Sequence, residues 1–78
     1  MANHKWEIPE GFTNRLREAL RIREMTGESL AFDIGIEPTN IYKYLNGKTC
    51  MNIGRLAEIC EILDVSADWL LFGKGNIE

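Results

Sequence analysis

Residues 26–48, TGESLAFDIGIEPTNIYKYLNGK, constrain the fold of this chain more than any other stretch. Leu30, Ala31 and Ile34 recur at the spacing of one helical face, after Thr26, whose hydroxyl can accept from the first backbone N–H groups of a helix. Glu28 falls in the first turn, where the helix dipole favours an anion. Gly35 ends the segment, because it enters left-handed backbone angles without a Cβ penalty. A second helix is predicted from Pro38 to Leu45, with Glu37 at or beside its cap. Pro38 takes the first position, where a missing N–H costs nothing, and Asn46-Gly47 stops the helix. Ile41, Tyr44 and Leu45 turn inward at spacings of three and four, and Ile36 plugs the junction. Two short helices meeting at a steep angle across a glycine turn make a helix-turn-helix unit.

The flanking sequence supplies three more helices. Phe12, Leu16, Ala19, Leu20 and Ile22 form one apolar stripe over residues 12–24, capped by Gly11 or Thr13, while Arg15, Arg17, Arg21 and Arg23 mix with Glu18 and Glu24 on what reads as a solvated face. Asn52 can cap a helix reaching Leu63 with Ile53, Leu56, Ile59, Cys60 and Leu63 on its apolar side. Ser66 can cap a last helix, Ala67–Phe72, that stops at Gly73. Trp69, Leu70 and Phe72 are large for so short a helix, and a domain of this size leaves part of them for a subunit contact. The expected organisation is an N-terminal arm at 1–10, in which Trp6 and Ile8 pack back, one domain at 11–73, and a tail at 74–78.

Composition decides which functions are open. Apolar residues at 45% and charged residues at 27% are ordinary for a folded domain, so 78 residues make one all-α domain with one modest core. The net charge of −3 is unevenly placed: residues 1–48 carry seven basic and seven acidic side chains, and residues 49–78 carry two basic against five acidic. An anionic partner therefore fits only the N-terminal two-thirds, without a strong basic field to draw it. Cys50 and Cys60 are ten positions apart with the single His4 far upstream, which favours reduced thiols over a metal site. There is no convergent nucleophile and base, no phosphate loop, and no apolar run of about 18 residues, so neither an enzyme nor a membrane span is expected. The start MANHKWEIPEGF lacks the basic and apolar order of a leader, and a cytoplasmic protein is expected.

Leu30-Ala31, Gly35-Ile36, Ile41 and the NGK at 46–48, followed at the right distance by DVSADWLLFG at 64–73, resemble the lambda-repressor-like family of phage and bacterial repressors. The resemblance covers roughly residues 12–73. It implies a compact five-helix DNA-binding domain whose helix from Pro38 to Leu45 enters the major groove of double-stranded DNA. Pro38, Thr39 and Lys43 match the base-contacting positions, and Glu37, Asn40 and Tyr42 lie beside them as base or phosphate contacts. Thr26 and Gly27 at the start of the first motif helix, and Asn46, Lys48 and Thr49 after the second, are the implied phosphate contacts. Gly27 departs from the glutamine common in the family, and Glu28 and Glu37 place carboxylates near the phosphates. The implied function is sequence-specific transcriptional regulation, as a phage or prophage-type repressor binding a two-fold operator as a homodimer through Trp69, Leu70 and Phe72. The alternative is a helix-turn-helix protein-interaction module, antitoxin-like or antirepressor-like, with weak or shared DNA binding and a protein partner. Neither reading calls for a cofactor or a metal.

Overall fold

Short polar residues start three of the helices. In the computed structural model, which describes residues 8–78, the elements are α1 (Phe12–Ile22), α2 (Gly27–Ile34), α3 (Pro38–Leu45), α4 (Ile53–Leu63) and α5 (Ala67–Phe72), with no strand among the described residues. The side chains of Thr26, Asn52 and Ser66 accept from the backbone N–H of Ser29, Arg55 and Trp69, each three residues on. At α2 this is a reciprocal box, since the Ser29 hydroxyl also accepts from the N–H of Thr26. Gly35, at φ 90°, ends α2 in the left-handed region that a side chain resists. Asp64 does the same for α4 at φ 55°, an angle that an aspartate tolerates better than most residues. Helix α1 stops at Ile22, two residues before the expected end, because Glu24 turns left-handed at φ 57° and carries the chain into α2.

These starts and stops deliver one core. Leu16 and Ala19 of α1, Leu30 and Ala31 of α2, Ile41 of α3, Ile59 and Leu63 of α4, and Leu70 of α5 are completely enclosed. Helix α2 packs against α3 and α4, α1 packs against α3 and α5, and α5 closes on α4. Burying each large aliphatic side chain is worth about 1.5–3 kcal/mol. The outer faces of α2 and α3 need not supply stability.

Four expectations change. Ile22 and Ile53, placed on apolar stripes by spacing, are 40% and 84% exposed. Each lies six positions from a core residue, Leu16 or Ile59, and six helical steps rotate a side chain well off the buried face. Leu70, expected at a subunit contact, has no accessible surface and belongs to this chain's own core, whereas Phe72 on the same helix is 59% exposed and Trp69 is half-buried. The 74–78 tail is held on the domain: the Ile77 carbonyl accepts from the N–H of Ser66 at 2.6 Å, and the Ile77 side chain packs against the core. Ile8 of the arm also packs there, while Trp6 and His4 lie outside the described residues.

The arginines of α1 make the fourth correction. The last carbonyls of a helix have no partner within it and carry the negative end of its dipole. Arg15 donates to the carbonyls of Leu70 (2.9 Å) and Leu71 (2.7 Å) in α5 and of Glu10 (3.0 Å). Arg23 donates to the carbonyls of Leu63 (2.7 Å) and Asp64 (2.8 Å) at the end of α4. Arg17 donates to the carbonyl of Leu45 (2.8 Å), the last residue of α3. Arg17 remains exposed while making this bond, and Arg21, also exposed, pairs with Glu18 one turn away. Helix α1 and its cap residue Arg23 therefore staple the C-terminal ends of three other helices.

Candidate nucleic-acid interface

With Ile41 and Leu45 locked in the core, the opposite side of α3 faces solvent. Glu37 at the N-cap and Thr39, Tyr42 and Lys43 in the helix are exposed, and Pro38 and Asn40 are partly covered. Asn46, Lys48 and Thr49 follow as an exposed run after the helix. The amides of Asn46, Gly47 and Lys48 bond back to the carbonyls of Tyr42 (2.9 Å), Tyr44 (3.2 Å) and Lys43 (2.8 Å), so the run leaves α3 in a fixed direction. Thr39 and Lys43, four positions apart, share that face of α3, and the exposed run follows it.

Cations sharpen the picture. Arg15, Arg17 and Arg23 are spent on backbone carbonyls, and Arg21 and Arg55 pair with Glu18 and Glu58. Among the described residues that leaves Lys43, Lys48 and Lys74 with no ion pair or side-chain hydrogen bond. Two of these three lie on α3 and the run that follows it.

The start of α2 is different. Thr26 engages its hydroxyl with the N–H of Ser29 at 3.1 Å, and its own N–H with the Ser29 hydroxyl at 2.9 Å. Gly27 is buried, and a Cβ added to it would come within 3.3 Å of the Tyr42 ring and 3.4 Å of Ile41 Cγ2. The glycine therefore makes room for Tyr42 to cross onto α2. The Tyr42 hydroxyl beside Glu28 holds its carboxyl below the usual pKa, with help from the N–H of Glu28 itself. The same contact raises the pKa of Tyr42. Thr26 and Gly27, expected at a phosphate, occupy a helix end where the reciprocal box takes the N–H groups of Thr26 and Ser29.

Sequence reasoning missed Arg17, whose Nη2 also donates to Asn46 Oδ1 at 3.0 Å. No residue-type signal could have found it, because one of its acceptors is a backbone carbonyl 28 positions away. Among the described residues no three His, Cys, Asp or Glu side chains gather as a metal site. No helix of the described residues is long and apolar enough to cross a membrane.

A family model for a helix-turn-helix domain matches residues 13–76. The HTH-type transcriptional regulator PrtR of Pseudomonas aeruginosa is 36% identical over 67 residues, which cover 86% of this chain and 26% of the relative. The chain therefore spans about a quarter of the length of the curated relative it matches. No solved structure matches it. The order of the five helices, the packing of α2 on α3 and the extent of the family match lead to one conclusion: the chain belongs to the helix-turn-helix domain family.

Proposed function

We propose that this chain is a sequence-specific DNA-binding transcriptional regulator of lambda-repressor-like type, acting as a phage or prophage-type repressor. Helix α3 enters the major groove. Lys43 donates to guanine O6 or N7, Thr39 bonds a base edge or touches a thymine methyl, and Pro38 offers apolar contact. Asn40, Glu37 and Tyr42 reach a base or stand beside the backbone, with the Tyr42 hydroxyl next to Glu28. Asn46, Lys48 and Thr49 face the phosphates. A single unit of this size reads few base pairs, so two copies bind a two-fold operator, with Phe72 and Trp69 at their contact.

The observation that carries this reading is the placement of unspent cations: Lys43 and Lys48 flank the exposed side of α3, while the described arginines are engaged within the chain. The relative's name, that of a transcriptional regulator, agrees with it. Selection from a random pool of duplex DNA should enrich a two-fold motif, and affinity for it should fall steeply with salt. A pool that stays unenriched contradicts the reading.

One observation favours a second reading. Phe32 on α2 is 85% exposed, an aromatic ring left largely uncovered by the described residues. It suits a protein-interaction module, antitoxin-like or antirepressor-like, in which DNA binding is weak or shared with a protein partner. That module gives no enriched motif by itself.

A further inference from the structure

Arg17 differs from the other two stapling arginines in what it holds. The acceptors of Arg15 are all backbone carbonyls, and Arg23 adds only the Glu78 carboxylate to its two. The Nη2 of Arg17 grips the Leu45 carbonyl at 2.8 Å and the side-chain oxygen of Asn46, the residue that caps α3, at 3.0 Å. A guanidinium has donors only, so the amide must present Oδ1 to it and cannot be turned the other way. The Nδ2 group, with two donors, is then directed away from Arg17 on an exposed residue, and it has no partner among the described residues.

We infer that Arg17 is a positioning residue for DNA phosphate: by holding the Asn46 oxygen and the last carbonyl of α3, it aims the Asn46 amide donors at the DNA backbone. The inference rests on the DNA-binding reading above. The contact itself is made by Asn46, and Arg17 acts through it. Since Asn46 is neutral, the contact releases no counterion, which separates this role from an arginine that sits on a phosphate itself.

The experiment uses the full chain and the labelled duplex that it enriches most from a random pool, with affinity measured by fluorescence polarisation at several KCl concentrations. Arg17→Gln and Asn46→Ala should each weaken binding about tenfold. The double variant should be no weaker than either single one, and the slope of log affinity against log salt should not change. Asn46→Asp keeps the acceptor that Arg17 needs, so α3 stays stapled, yet it removes the outward donors and should weaken binding at least as much. Additive losses, with a slope shallower by about 0.9 in Arg17→Gln, would put Arg17 on a phosphate directly and overturn the inference. Variants that bind like the wild type overturn it alone. A wild-type chain that enriches no duplex overturns the DNA-binding reading and this inference together.

Discussion

Helix α1 and the α2–α3 pair use their polar side chains in opposite directions. Helix α1 carries three arginines and Arg23 caps its end; Arg15, Arg17 and Arg23 turn to the carbonyl ends of α5, α3 and α4. The pair has few cations, but Lys43 is unspent, and Thr39 and Asn40 have no side-chain hydrogen bond among the described residues. The difference teaches that charge must be counted after the fold has used what it needs. A net charge of −3 speaks against an anionic partner, and a basic α1 speaks for one, yet both count side chains that are already engaged.

If this division of labour is right, stability and DNA affinity should separate between Arg15 and Lys43, with Arg17, which also holds Asn46, serving both. The largest effect is expected at Arg15. Replacing it with Gln removes charged hydrogen bonds to three carbonyls and should cost about 1.5–3 kcal/mol in denaturant unfolding, with DNA affinity of the folded chain unchanged. Lys43→Ala should do the reverse, weakening binding to the enriched duplex by about 1–3 kcal/mol while stability moves by less than about 0.5 kcal/mol. An Arg15 variant that folds normally but loses DNA would erase the comparison.

Smaller effects sharpen it at the α2–α3 junction. Gly27→Ala should be less favourable with Tyr42 present than in a Tyr42→Ala background, by about 0.5–1 kcal/mol in a double-mutant cycle, because the added Cβ meets that ring. Equal effects in both backgrounds would deny the close approach. The smallest effect concerns acid. Glu28 has a folded-state pKa below its unfolded value, so its contribution is full above the unfolded value and is lost as pH falls through the folded one. Unfolding midpoints followed from neutral to acid pH should decline a little less in Glu28→Gln than in the wild type, and superimposable declines would remove Glu28 from the account.

What the sequence disclosed follows from the range of each interaction. Thr26, Gly35, Pro38, Asn52 and Ser66 act on backbone groups within a turn of themselves, so helix starts and stops could be read from neighbours alone. The facing of α5 could not, since Trp69, Leu70, Leu71 and Phe72 are consecutive apolar residues and only the rest of the core decides that Leu70 goes in and Phe72 out. The arginine staples were hidden more deeply. Their acceptors include backbone carbonyls 28 to 56 positions away, and a carbonyl leaves no mark on residue type. On the candidate interface, the positions of Thr39, Asn40 and Lys43 were legible from the helix period, whereas the crossing of Tyr42 over Gly27 to Glu28 needed the angle between two helices.

The central claim is that the outer side of α3 reads bases. The most direct measurement compares the duplex motifs enriched from one random pool by the wild-type chain and by Lys43→Gln. The account predicts that preference relaxes or changes at one base pair in each half-site and persists elsewhere. An identical motif from both proteins would contradict it.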